Sequence, residues 1–161
     1  MQKEFFQNLK KKKIIVGGDH HAQPIAKIIY THLINKGLQA ELIIYDEKHC
    51  DYIDQSSAVA KKVSSSPDTY CGIVGCKNGF GVTTVCNKYR NVFAIRCDTP
   101  EQAIHAREIN YSNILTFGAS FVDKEKIKKI VDTWLDTEFE LSEKNEGRLK
   151  KLFEIEQTQV K

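Results

Sequence analysis

The stretch "GIVGCKNGFG", Gly72 to Gly81, runs an apolar segment into a cysteine and follows it at once with glycines at 79 and 81. A cysteine so placed is either a small buried hydrophobe or a reactive thiol. Glycines let the chain turn tightly with successive amide hydrogens facing one point, which attracts an anion. The start of a helix adds its dipole and lowers a thiol's pKa from the free value of about 8.5. A Cys76 thiolate could then act as a base, while the loop amides hold a developing oxyanion. A second group of polar residues, Asp19-His20-His21, follows the apolar run "KIIVGG". It reads equally as a turn that caps the next helix or as an acid and an imidazole facing a ligand. Asp51-Tyr52 follows another apolar run. Asp19, His20, His21 and Cys50 are all metal-ligand types, but their spacing matches no metal motif, so no metal is expected. Gly79-Phe80-Gly81 continues as Val82-Thr83-Thr84, which is not the dinucleotide fingerprint, and no G-K-[ST] makes a P-loop.

The elements that must carry these residues follow from the pattern of apolar side chains. "KIIVGG" (13–18), "AELIIYD" (40–46), "YCGIVGC" (70–76), "NVFAIRC" (91–97) and "NILTFG" (113–118) are short, β-branched or aromatic, and nearly continuously apolar. Strands covered on both faces read this way. Helical spacing occupies 23–37, 54–66, 99–110 and 123–137. Thr99 suits an N-cap with Pro100 at the first helical position, Asp123 opens the next helix, and Gly37 suits a helix end. Strands alternating with helices predict an α/β fold: a three-layer, Rossmann-like open parallel sheet of five strands, with helices on both faces. Residues 1–12 form a basic lead-in and 13–140 the domain. Residues 141–161 form a charged C-terminal helix whose thin stripe of Leu149, Leu152, Phe153 and Ile155 suits either its own domain or a second subunit. Ligands bind such sheets beyond the carboxyl ends of the strands. Asp19-His20, Asp51-Tyr52 and the 76–81 loop all fall on that rim.

Composition narrows the class of protein. The 161 residues suit one domain, 41% hydrophobic and 28% charged. No apolar run approaches the roughly 20 residues of a membrane span, and "MQKEFFQNLKKKK" lacks the apolar middle of a secretory signal. A cytoplasmic protein with no membrane contact is expected. Net charge is +3, but residues 1–13 carry five lysines and one glutamate, leaving the remainder close to −1. Lys10–Lys13 read as a solvated approach to the first strand, and no aromatic-interleaved basic stripe argues for nucleic acid. Five cysteines, an odd number without a C-x-x-C pair, argue against both a disulfide framework and a structural zinc site.

Six of these places together resemble a known family. Asp19-His20 ends the first strand, Asp51-Tyr52 follows the second, and "CKNGFG" (76–81) stands where the family has Cys-Gly-Thr-Gly-x-Gly. "CNK" (86–88), "AREIN" (106–110) and "NILTFGA" (113–119) follow in order. Over roughly residues 13–140 the chain resembles the sugar-phosphate isomerases that include ribose-5-phosphate isomerase type B and the subunits of galactose-6-phosphate isomerase. The resemblance implies a cofactor-free aldose–ketose isomerase working through a cis-enediolate, most simply on D-ribose 5-phosphate in the pentose phosphate pathway. It implies Cys76 as the base, with Asn78 and the loop Lys77, Asn78, Gly79, Phe80 and Gly81 at the enediolate. Asp19 would bind sugar hydroxyls, His20 would stand near the phosphate and Tyr52 would line the pocket. Asn110 would reach in from a neighbouring subunit, and Arg148 would bind phosphate with help from Lys150 and Lys151. A homodimer or dimer of dimers is implied, with the C-terminal helix crossing its interface.

Four positions depart from the family pattern. The ring-opening histidine of that family is Ile109 here, with His105 one helical turn earlier as a substitute or a surface residue, and His21 as another stand-in. Lys77 and Asn78 replace glycine and threonine, and Ser120 replaces an arginine. Three readings are therefore carried forward. The chain is a ribose-5-phosphate isomerase with altered ring opening. It acts on another sugar phosphate, such as allose 6-phosphate or galactose 6-phosphate, or is the cysteine-bearing half of a heteromer. Or it binds sugar phosphates with weakened turnover.

Overall fold

The computed structural model describes residues 8–44 and 51–158. Five parallel strands, β1 (Lys13–Gly18), β2 (Ala40–Leu42), β3 (Tyr70–Cys76), β4 (Ala94–Arg96) and β5 (Ile114–Gly118), lie in the order β2-β1-β3-β5-β4. Six helices alternate with them: α1 (Gln23–Asn35), α2 (Tyr52–Ser65), α3 (Phe80–Cys86), α4 (Pro100–Glu108), α5 (Lys124–Asp136) and α6 (Glu143–Thr158). The expected open parallel α/β sheet is therefore the observed one. β1 and β3 match their sequence-predicted bounds. β4 is shorter than the apolar run suggested, because Asn91 takes φ +60° and breaks the extended backbone. Of the expected strand at 40–46, residues 45 and 46 lie outside the described residues, as does Cys50.

The sheet separates two cores. On one side Ile14, Val16, Ile73, Leu115 and Phe117 meet α1, α4 and α5, with Ile29, Leu33, Ile127 and Trp134 fully buried. On the other, Ile15, Val74, Cys76 and Ile114 meet α2 and α3 through Val59, Val63 and Val82. Alternate strand residues feed opposite cores, as the period of two requires. Fully burying one such aliphatic side chain contributes about 1.5–3 kcal/mol. The predicted caps are present. The side chains of Thr99 and Asp123 accept from backbone N–H groups of the first turns of α4 and α5. Gly37 takes φ +73° just past α1, a backbone position that favours glycine.

The basic lead-in is not wholly solvated. Lys12 is 2% exposed and donates its ammonium to the Pro67 carbonyl at 2.7 Å. Burial lowers its pKa from the ordinary 10.5. The sequence pattern missed this because a lysine run looks uniform, whereas the short 3-10 turn at Leu9–Lys11 aims each side chain differently. Lys10 pairs with Asp136, and Lys13 with Glu41 at 2.7 Å.

β1 and β3 are neighbours, yet the connection from β1 runs outward to β2 and the one from β2 returns across to β3. Their carboxyl ends therefore open at a switch point, where parallel sheets hold ligands. Gly18 pairs with Gly75, so Asp19 and Cys76 leave the sheet side by side.

Candidate active site

Cys76 is the last residue of β3 and is 5% exposed, with its side chain at the rim of the core shared with α2 and α3. The Gly79 N–H donates to Sγ at 3.1 Å. The other described cysteines differ sharply. Burial pushes the thiols of Cys71, Cys86 and Cys97 up to about 12, and Cys71 is 0% exposed.

The loop after Cys76 is fixed from several sides. Gly79 takes φ +81°, which lets the chain reverse directly into α3. A Cβ on Gly81 would stand 2.7 Å from the Tyr52 ring, so only glycine lets that ring lie against the loop. The Cys76 and Lys77 carbonyls accept from the N–H groups of Ala119 and Ser120, at 2.9 and 3.0 Å. Asn78 turns its Oδ1 toward the Phe80 N–H at 3.3 Å. Its amide nitrogen has no hydrogen-bond partner among the described residues. The Lys77 side chain is exposed.

Asp19 lies 4% exposed beside this loop. Its Oδ1 accepts from the N–H groups of His21 and Ala22, both at 3.0 Å, so it caps the turn into α1. His20 and His21 are exposed, with ring centroids 4.0 Å apart. Asp51 caps α2 by accepting from Asp54 N–H at 2.9 Å, which sets Tyr52 at the helix start. Asp19, His20, Tyr52, Cys76 and the whole 77–81 loop thus share one rim.

Asn110 and Arg148 do not. Asn110 sits in the turn between α4 and the start of β5, whereas Cys76 lies level with Gly118 at the end of β5. With Ile109, Leu149 and Leu152 they line a cavity of about 140 Å³ toward the amino-terminal ends of the strands, opposite the Cys76 rim. Buried Arg107 shapes that turn by donating to the carbonyls of Ser112 at 2.5 Å and Thr137 at 3.2 Å. His105 is exposed on α4, and its carbonyl accepts from Asn110 Nδ2 at 3.3 Å. The His105 ring is not part of the cavity wall. Ser120 serves the loop through its backbone N–H, which donates to the Lys77 carbonyl.

A model of the ribose/galactose isomerases matches residues 14–152. The chain belongs to the ribose/galactose isomerase family. Ribose-5-phosphate isomerase B of Escherichia coli strain K12 is 31% identical over 147 residues, spanning 91% of this chain and 97% of that protein. The D-erythrulose-4-phosphate isomerase of Pectobacterium atrosepticum is 30% identical, over 79% of this chain and 84% of that one. In structure, Mycoplasma genitalium ribose-5-phosphate isomerase B, solved with bound ribulose-5-phosphate, aligns with a TM-score of 0.85 at 30% identity, covering 90% of this chain and 96% of that one.

Within this isomerase fold, three features were not read from the sequence. Arg96 ends β4 on the Cys76 side of the sheet, although "NVFAIRC" reads as plain strand. Thr83 and Thr116 hydroxyls meet at 2.5 Å beneath the loop, and Thr83 also donates to the Gly79 carbonyl at 2.7 Å. Gln55, fully buried on α2, accepts from the Gly18 N–H at 3.2 Å, while its Nε2 finds no partner among the described residues. Applying the carboxyl-end rule to all five strands would have found Arg96. Nothing in the helical pattern of α2 marks Gln55.

Proposed function

We propose that this protein is an aldose–ketose isomerase that interconverts D-ribose 5-phosphate and D-ribulose 5-phosphate through a cis-enediolate. The observation that carries the reading is the Cys76 sulfur at the mouth of the sheet, accepting the Gly79 N–H at 3.1 Å beside the glycine loop. The thiolate removes the proton from the carbon beside the carbonyl. The electron pair moves onto the carbonyl oxygen, a proton passes from the adjacent hydroxyl to that oxygen, and the thiol returns the carbon proton to the former carbonyl carbon as the new carbonyl forms. The loop amides and the free Asn78 amide hydrogens stabilise the oxyanion. Asp19 and Tyr52 orient the sugar, His20 stands near its phosphate, and Lys77 brings positive charge to it. No cofactor enters these steps.

Asn110 and Arg148 complete the pocket from a second copy of the chain, which brings its opposite end against the Cys76 rim. This supports a homodimer with two equivalent sites, and α6 as part of the contact.

A second reading has its own support. Ile109 stands in the Asn110 cavity and can move no proton. A four-carbon sugar 4-phosphate has no free hydroxyl able to close a five-membered ring, so it needs no ring opening. The erythrulose phosphate isomerase relative points to the same substrate class. Purified protein offered ribose 5-phosphate, D-erythrulose 4-phosphate, allose 6-phosphate and galactose 6-phosphate, with product measured, separates these readings. Cys76→Ala should lower turnover on the preferred substrate by at least about 10²-fold with the fold intact. Undiminished turnover would remove Cys76 as the base.

A further inference from the structure

We propose that Arg96 is a positioning residue for the Cys76 loop, acting through cation–π contacts with two phenylalanines. The inference rests on the isomerase reading and deepens it. The Arg96 guanidinium carbon lies 4.3 Å from the Phe80 ring centroid and 4.8 Å from that of Phe121. Asp98 holds the same group in its plane, accepting from Nε at 3.1 Å and pairing with Nη2 at 2.6 Å. Below, the arginine stem supports the turn: a Cβ on Gly79 would stand 3.0 Å from Arg96 Cδ.

Phe80 and Phe121 are 60% and 49% exposed, and neither belongs to a hydrophobic core. Solvent-facing rings with no core contacts swing freely unless something else holds them. Here the holder is a flat cation within cation–π distance of both rings. Phe80 is the first residue of α3, and its N–H donates to Asn78 Oδ1 while the N–H of Gly79, one residue earlier, donates to the sulfur. Fixing the Phe80 side chain fixes the peptide planes that carry those donors. Phe121 follows β5 in the segment whose backbone already pins Cys76 and Lys77. Arg96 therefore ties the tips of β3, β4 and β5 into one rigid rim. Lysine cannot replace it, because an ammonium has neither two flat faces nor an in-plane fork for Asp98.

The test compares Arg96→Met, Arg96→Lys and Phe121→Leu with the native chain, reading kcat, KM, thermal midpoint and hydrogen exchange of the 77–81 amides. Misplacing the donors by a fraction of an ångström should lower kcat about tenfold and leave KM within about threefold. Exchange in 77–81 should quicken in all three, Phe121→Tyr should restore native behaviour, and Arg96→Met with Phe121→Leu should be no worse than Arg96→Met alone. Should Arg96→Met fail to fold, Asp98→Asn, which keeps both rings and the arginine, should show a smaller effect of the same sign. A rise in KM with kcat unchanged would overturn the proposal and make Arg96 a direct substrate ligand. Unchanged exchange, with only a lower thermal midpoint, would also overturn it. Exchange needs no turnover, so a chain inactive on every sugar phosphate would sink the isomerase reading and still leave the clamp decided.

Discussion

At the scale of single residues, the chain separates one thiol from its siblings by environment alone. Cys71, Cys86 and Cys97 are held in hydrocarbon that pushes each up to about 12. Cys76 reaches the rim and accepts a backbone N–H. Iodoacetamide applied to the native protein at pH 8 should therefore modify Cys76 ahead of those three, with turnover falling in step, as site-resolved mass spectrometry would show. Earlier labelling of Cys71 would contradict the described geometry. Cys76 was legible because its neighbours in sequence, Gly79 and Gly81, are also its neighbours in space. Gln55 and Arg96 were not, because their partners Gly18, Phe80 and Phe121 are supplied by distant segments.

At the scale of elements, the strands and caps were legible because buried parallel strands leave continuous apolar runs and caps leave fixed residue types. How α6 is attached was not. Its narrow stripe meets a small aromatic cluster of its own rather than either main core: Leu149 and Phe153 lie with Tyr111, Phe139 and Phe93. Phe93 meets Phe153 edge-on at 5.4 Å, and Tyr111 meets Phe139 at 5.5 Å. At the far end the Glu156 carboxylate accepts from Asn91 N–H at 3.1 Å. Leu149→Ala should loosen this helix by about 2–3 kcal/mol. Faster hydrogen exchange across 143–158, with the sheet unaffected, is the expected result. Slower exchange or a global loss of stability would show that α6 is not a separable layer.

At the scale of the whole molecule, buried groups set the response to pH. Cys71, Cys86 and Cys97 favour the neutral thiol in the fold, so their folded pKa of about 12 lies above the ordinary 9.0. Their contribution to stability is complete below 9.0 and is lost as pH rises toward 12. Lys12 has the opposite sign, since burial lowers its value below 10.5 and its penalty fades as pH approaches that figure. Three thiols outweigh one lysine, and the protein should lose thermal stability steadily above pH 9. The single tryptophan, Trp134, is fully buried and reports this unfolding by fluorescence. Replacing Cys71 and Cys86 by alanine should flatten the decline. A stability that climbs with alkalinity would show the lysine to dominate.

Under the proposed pairing of two copies, the separation of the Cys76 rim from Asn110 and Arg148 would make the catalytic equipment divisible between two polypeptides. Chains altered at Cys76 and chains altered at Arg148 should each be inert alone, and reshuffled together they should rescue one another. In random twofold pairing, half the assemblies are hybrids with one intact centre of two, returning about a quarter of native turnover.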